Sequence, residues 1–241
     1  MTKKLRTCLS SFLLLFISFY ADAQIKIGPE AGVNFGMQRS VTKTNSETTN
    51  NRSSTLKVGA MAGINVDIKV LKKCYLQTGF FYTYDNIKFK DQVDFTTYNL
   101  GNVKRETHDD IHYFRVPLYV MYKSGFDGSG RFLAGFGPYV EYAFIANESS
   151  SVPFLNASNT GINYVNTNYQ LQLGNKSTDD LKNWDYGLNA CIGYESNVGM
   201  FFRGYFNWGL QNLIPQGTSE NTLHNWGMGV TIGFNIGKDN W

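Results

Sequence analysis

Apolar and polar residues alternate along most of the chain. In the first such segment Ile25, Ile27 and Val33 share one face, while Lys26 and Glu30 fall on the other. A period of two residues places successive side chains on opposite faces of a β-strand. The pattern therefore predicts eight strands, over residues 25–37, 56–68, 74–90, 113–123, 131–144, 184–195, 200–211 and 225–236.

The length of these segments distinguishes a membrane barrel from a soluble sandwich, whose strands also alternate. Each segment is at least as long as the about 9–11 residues that a tilted strand needs to cross a bilayer. Strands of soluble proteins average about 5–6 residues. Charges and glycines share the polar faces, which suits a narrow lumen. The fold class predicted is all-β: an eight-stranded antiparallel transmembrane β-barrel, an up-and-down meander with a filled polar lumen.

The connections between the segments alternate between long and short. The long ones cover residues 38–55, 91–107, 147–182 and 214–222, and the short ones cover 69–73, 124–130 and 196–199. Outer-membrane barrels have long extracellular loops and short periplasmic turns. The asymmetry predicts a bacterial outer-membrane location with both termini in the periplasm. Aromatic residues at both ends of the apolar faces indicate two interfacial girdles: Tyr82, Tyr84, Tyr142, Phe144, Trp184, Tyr186, Trp208 and Trp226 at one end, and Tyr122, Phe132, Tyr194, Phe202 and Phe234 at the other.

The first residues have the order of a secretory signal. A basic start precedes an apolar run and a small-x-small motif, which are Lys3, Lys4 and Arg6, then residues 9–19, then Ala21-Asp22-Ala23. This order predicts a cleaved signal peptide over residues 1–23 and a barrel domain over residues 24–241. A membrane anchor is the alternative, but the apolar run is shorter than the roughly 20 residues of a spanning helix.

Charge and cysteine content narrow the range of functions. Removal of the signal leaves 19 basic and 18 acidic residues, a net charge of +1, which gives no reason to expect nucleic acid as a partner. Cys74 and Cys191 remain, and they fall on opposite faces of their strands. Two free thiols are therefore predicted rather than a disulfide.

An eight-stranded barrel has an interior that its own side chains fill. Four charged residues are predicted to face the lumen near mid-depth: Glu30, Arg115, Glu141 and Arg203. Buried charges require partners, so they are expected to form a structural Arg–carboxylate network rather than a transport path. Further inward carboxylates are expected at Asp67, Asp85, Asp185 and Glu195, and bulges or rim positions are expected at Pro29, Pro117 and Pro138.

Residues for catalysis are sparse. The chain has neither a nucleophile elbow nor a phosphate-binding glycine loop, so no catalytic or cofactor-binding residue is assigned, and a protein without enzymatic activity or cofactor is expected. His108, Asp110 and His112 share one strand face at the rim, and two histidines so spaced can bind a metal. No third ligand or open coordination position can be located, which favours plain rim residues over a metal or enzyme site.

The 147–182 connection is the best candidate for a recognition surface. It is rich in Asn, Ser and Thr, yet contains Phe154, Leu155, Ile162, Tyr164, Val165, Tyr169, Leu171 and Leu173. Loops carry function disproportionately often. The alternative is a solvated loop, or an extension of the neighbouring strand hairpin above the membrane.

Six short motifs occur in a characteristic order: Gly28-Pro-Glu-Ala-Gly-Val-Asn34, Gly59-Ala-Met-Ala-Gly-Ile-Asn65, Tyr113-Phe-Arg-Val-Pro-Leu118, Gly135-Phe-Gly-Pro-Tyr139, Asp185-Tyr-Gly-Leu188 and Tyr205-Phe-Asn-Trp-Gly-Leu-Gln-Asn212. Together they cover most of the chain beyond the signal, and the sequence resembles the PorT-like outer-membrane β-barrel proteins of Bacteroidota. The resemblance implies an eight-stranded barrel in a Gram-negative outer membrane, and for PorT itself a role in type IX secretion. The C-terminus departs from it, because residues 237–241 continue past Phe234.

Three functions follow from these observations. The first is a non-enzymatic barrel with a structural or surface-interaction role through its extracellular loops. Its expected partners are outer-membrane lipids and, through the 147–182 connection, surface or secretion proteins. The second is an accessory component of type IX secretion or outer-membrane assembly. The third is an enzyme or metal binder at the rim.

Overall fold

The computed structural model describes residues 25–44, 47–55, 57–125 and 130–237. Ten strands lie in this part of the chain: β1 (Ile25–Thr44), β2 (Glu47–Thr55), β3 (Lys57–Lys69), β4 (Cys74–Asp94), β5 (Asn102–Lys123), β6 (Gly130–Leu155), β7 (Ile162–Gln170), β8 (Trp184–Ser196), β9 (Met200–Gly209) and β10 (Asn221–Phe234). No helix in the described ranges has the length and apolar character to span a membrane. The predicted signal peptide, residues 1–23, lies outside the described residues.

The strands close into a ring with eight positions. Neighbouring strands pair antiparallel along the chain, and β1 pairs with β10 from Glu30↔Gly233 to Thr42↔Asn221. The second position is shared by β2 and β3, since both pair with β1 on one side and β4 on the other. Within the described chain β7 pairs with β6 alone. The predicted all-β, eight-stranded antiparallel barrel is confirmed.

The predicted strand ends are wrong at one end of the barrel. There, β1 continues to Thr44, β4 continues to Asp94, β5 starts at Asn102, and β6 continues to Leu155. Much of three predicted connections is therefore strand. Most residues of these extensions are polar, so no sustained apolar alternation marks them in the sequence, although the backbone ladder continues. The end that carries them is called the long-connection end below, and the opposite end the short-turn end.

The prolines do not form bulges, contrary to expectation. Pro29 stays opposite Ile64 with no change of register. Pro138 stays opposite Leu188, also with no change of register. Between Pro117 on β5 and Pro138 on β6 the ladder skips two pairs and then resumes in the same register, since neither proline has an N–H to donate. Thr78 Oγ1 donates to the Pro117 carbonyl at 2.8 Å. The register shifts lie elsewhere, between Thr42 and Lys43 and between His112 and Tyr113.

The two faces of the wall have opposite character. Large apolar side chains point outward, and Phe132 and Ile192 are 70% and 72% exposed. All thirteen predicted girdle aromatics are exposed or half-buried. Neighbouring rings touch at both ends, with centroids 5.9 Å apart for Trp208 and Trp226 and 5.5 Å apart for Phe132 and Tyr194. The outward apolar surface between these rings is called the apolar belt below. Charged and amide side chains occupy the opposite, buried face.

Candidate functional site: the lumen and its cap

Strand pairing places the first of two mid-depth ion pairs. Arg115 on β5 lies directly opposite Glu141 on β6, and Arg115 Nε donates to Glu141 Oε1. With its amide oxygen turned inward, Asn207 accepts from Arg115 Nη1 at 2.7 Å. The Arg115 guanidinium also lies 5.7 Å from the Tyr139 ring centroid. Both charged side chains are buried, so each satisfies the other in a region without bulk water.

The second pair, Arg203 and Glu30, crosses the seam of the ring. The guanidinium donates through Nε to Glu30 Oε1 at 2.8 Å and through Nη2 to Glu30 Oε2 at 2.5 Å, a bidentate geometry. Arg203 Nη1 donates to Gln77 on β4. The same guanidinium stacks 5.5 Å from the ring centroids of Tyr119 and Phe201. Arg203 therefore links β9 to β1 and β4 across the lumen. The structure brings together both pairs among the four predicted residues.

A third charge cluster lies at the short-turn end, where Asp67 and Glu195 were predicted to face inward but their partners were not predicted. Lys123 Nζ donates to Asp67 Oδ2, and also to Glu195 Oε2 at 2.8 Å. Arg131 Nη2 reaches Glu195 Oε1 at 2.9 Å, and Lys26 Nζ lies 3.6 Å from the same oxygen. All five side chains are buried. The sequence signal for this cluster is that all five residues fall on the inward face of their strands, near the strand ends.

At the long-connection side of these pairs the lumen is also filled. Asn34 Nδ2 donates to Asp85 Oδ1, and Tyr139 Oη donates to Asp185 Oδ2 at 3.4 Å. A void of about 10 Å³ lies between Asn34, Asp85 and the Arg115 pair, which is room for about one water molecule. Buried side chains thus occupy the lumen at each of these levels.

An apolar cap covers the long-connection end of the lumen. It combines inward residues of β4, β5 and β6 with leucines from two connections, namely Ile87, Phe89, Ile111, Tyr113, Ala143, Ala146, Leu181 and Leu213, with Leu171, Leu173 and Leu223 packed against them. Backbone bonds hold the connections together, because the Lys182 N–H donates to Leu213 O and the Leu213 N–H donates to Leu223 O, each at 2.8 Å. The cap places a second barrier over the charged lumen.

Replacing Leu213 by alanine is expected to loosen the cap without opening the barrel. Leu213 is fully buried, and large-to-small substitutions of this kind cost about 2–5 kcal/mol. Backbone amides in residues 171–183 and 210–216 should therefore exchange hydrogen faster, while those of β8 and β9 stay protected. Leu210→Ala, at an exposed position nearby, is the matched control. Equal exchange in both variants would show that the cap does not depend on this leucine.

The predicted 147–182 recognition segment divides into two parts. Residues 147–170 form the outer half of the β6–β7 hairpin, where Phe154, Tyr164, Val165 and Tyr169 are exposed. Leu171 and Leu173 instead pack into the cap. The expectation that this segment extends the strand hairpin is confirmed for the first part. The leucines of the second part therefore help to close the lumen, whereas its polar residues 175–178 are exposed.

The rim histidines form hydrogen bonds with tyrosines on the outer wall. His112 Nδ1 lies 2.6 Å from Tyr82 Oη, and Asp110 Oδ1 accepts from Tyr84 Oη and Asn86 Nδ2, each at 2.6 Å. Partial burial and the nearby Lys88 lower the pKa of His108. No three His, Cys, Asp or Glu side chains in the described ranges are grouped as a metal site. Among the atoms that would bind a metal, His112 Nδ1 and Asp110 Oδ1 already have partners within the wall.

The prediction of free cysteines is confirmed. Cys74 is half-buried on the outer parity of β4, and Cys191 is buried in the lumen. Cys191 Sγ lies 3.6 Å from Met121 Sδ on β5, so this thiol packs within an apolar layer of the interior.

A closed antiparallel ring with an apolar outer belt, girdle aromatics and a charged interior defines an integral membrane β-barrel. The family model described as "Outer membrane protein beta-barrel domain" matches residues 20–215, and the chain belongs to this family. The protein is therefore a bacterial outer-membrane barrel.

Several solved outer-membrane proteins are similar to the chain. The OprG protein of Pseudomonas aeruginosa is 11% identical, with 88% of this chain and 97% of that chain covered and a TM-score of 0.41. Neisserial surface protein A is 8% identical, with 86% and 97% covered and a TM-score of 0.38. The outer membrane protease OmpT of Escherichia coli is 9% identical, with 91% and 98% covered and a TM-score of 0.37. No curated protein matches the sequence.

Proposed function

We propose that this chain is a non-enzymatic outer-membrane barrel that binds a partner protein through the distal half of the β6–β7 hairpin. The observation that carries the proposal is the exposure of Phe154, Tyr164 and Val165, at 45%, 54% and 46%, on a hairpin that projects beyond the apolar belt. Aromatic residues are enriched in protein interfaces and are costly to leave in water. In this proposal the ion pairs of the lumen have a structural role.

The orientation of the barrel is part of the proposal. The long-connection end would face the exterior, with both termini in the periplasm after removal of residues 1–23. The length asymmetry of the connections supports this orientation, since extracellular loops of such barrels are the longer ones. The exposed hairpin would then face partners outside the cell.

Shortening the hairpin tests the proposed function. Residues 152–165 are replaced by Asn-Gly, which joins the paired positions Ser151 and Asn166 through a two-residue hairpin turn. The barrel should fold as before, while a photo-crosslinker at position 167 should lose its partner adducts on intact cells. Asn163→Ser in the full hairpin is the control and should keep them. Unchanged adducts in the shortened protein, or sustained selective conductance of the purified barrel, would contradict the proposal.

The resemblance to PorT-like barrels supports a second candidate, an accessory role in type IX secretion. A strain in which the gene is deleted tests this candidate. In it, surface and secreted proteins are compared with periplasmic proteins. Cargo trapped in the periplasm would favour the secretion role, and unchanged export would favour surface interaction.

A further inference from the structure

We propose that the outer wall of β5, β6 and β7 binds the sugar headgroup of an outer-leaflet glycolipid. The site is a recess of about 450 Å³ above the apolar belt, called the amide recess and lined by Asp110, Asn147, Ser149, Asn168, Tyr169 and Gln170. Cross-strand pairing sets Asp110 opposite Asn147, and Asn147 opposite Gln170. The volume lies within the roughly 300–1,000 Å³ typical of ligand sites.

The amide recess lies at the height of lipid headgroups because it continues the belt upward. Phe114 lies on β5 at the membrane-facing side of the recess, and its ring stacks on Phe144 at 4.5 Å and on Phe80 at 5.1 Å. Asp110 lies four residues before Phe114 on the same strand face, which on a tilted strand is about 10 Å further from the membrane than the ring stack. An acyl chain against these rings would therefore carry its headgroup to the recess.

The chemistry of the lining fits hydroxyl groups better than phosphate. Three amides and a serine can each donate and accept hydrogen bonds, as sugar hydroxyls do. No lysine or arginine of the described chain lines the recess, and Asp110 and Glu148 would repel an anion. The nearby Lys88 is paired with Glu106 at 2.6 Å. The recess thus matches an uncharged, polyhydroxylated group.

Two tyrosines complete the lining chemistry. Tyr84 Oη donates to Asp110 Oδ1 and fixes that carboxylate, whose other oxygen can accept from a ligand hydroxyl. Burial and the hydrogen bond to Glu148 raise the pKa of Tyr169 to about 12. Because the hydroxyl hydrogen is donated to Glu148, the phenol oxygen offers the ligand an acceptor. Tyr169 is itself exposed and offers a ring face beside the amides.

The assignment to the outer leaflet rests on the orientation proposed above. The binding test does not depend on that orientation. Purified barrel in mixed micelles with a neutral glycosyl diacylglycerol is examined by native mass spectrometry, and bound glycolipid is counted. The variant Asn147→Ala/Asn168→Ala/Gln170→Ala should retain at least about tenfold less, as expected for three lost hydrogen bonds of about 1 kcal/mol each. The control is Asn163→Ala/Thr167→Ala, at exposed positions of β7 that do not line the recess, and it should retain as much as the unchanged protein.

Three outcomes would overturn the proposal. The triple variant could retain as much glycolipid as the unchanged protein. Phosphatidylglycerol could be retained equally and lost equally on substitution, which would make the recess a general lipid contact. The free neutral sugar could compete as strongly as the whole glycolipid, which would make the ligand a soluble glycan. None of these outcomes bears on the hairpin experiment, because the shortened hairpin keeps every residue of the recess.

Discussion

Replacement of Arg203 by methionine is expected to lower the free energy of unfolding of the barrel by about 3–5 kcal/mol, because the change leaves a buried carboxylate without its partner. Both oxygens of Glu30 accept from Arg203, and Gln77 loses its donor as well. The unbranched methionine side chain keeps most of the contacts with the Tyr119 and Phe201 rings. The expected loss therefore reports mainly on charge rather than on packing.

Urea-induced unfolding of the protein in lipid vesicles measures the effect. The double variant Glu30→Met/Arg203→Met removes both charges and should recover at least half of the loss, since a buried ion pair often contributes little net stability over an apolar replacement. Arg39→Met, on an exposed face of β1, should change stability by less than about 0.5 kcal/mol. If the single and double variants are equally unstable, the ion pair is not the cause.

The alternation of the sequence predicted which charged side chains face the lumen, but not how they pair. Strict alternation assigned Glu30, Arg115, Glu141 and Arg203 to the interior, and the structure forms both pairs there. Which charges meet depends on ring closure and register, which alternation does not encode. For that reason the cluster around Lys123, formed by the ends of five different strands, was not assembled from sequence.

The long-connection end was predicted less well, for physical reasons. Both faces of β7 are exposed, so it carries no alternation that a sequence pattern could reveal. The sequence of β2 is polar throughout and carries none either. The cap joins Leu171 and Leu181 to Leu213, which are distant in sequence and lie in irregular segments. Such contacts follow from tertiary packing rather than from local periodicity.

Replacement of Gly28 by alanine is expected to prevent the barrel from closing. A Cβ at position 28 would lie 1.5 Å from the carbonyl oxygen of Phe234 and 2.6 Å from its carbonyl carbon. Both are backbone atoms of the strand that closes the ring, so no side-chain rotation can relieve the overlap. β1 would have to move away from β10, which would expose unpaired strand edges to lipid.

The mobility of the unheated protein on a denaturing gel measures closure, because a closed barrel resists the detergent and migrates as a compact species. Gly28→Ala should lose the compact band, or convert to the unfolded band at a much lower temperature. Gly204→Ala is the matched control, since the nearest atom to its added Cβ would be Gly229 O at 3.8 Å, an ordinary contact. It should keep the compact band. If Gly28→Ala migrates as the control does, the backbone approach of β1 to β10 at this position is not required for closure.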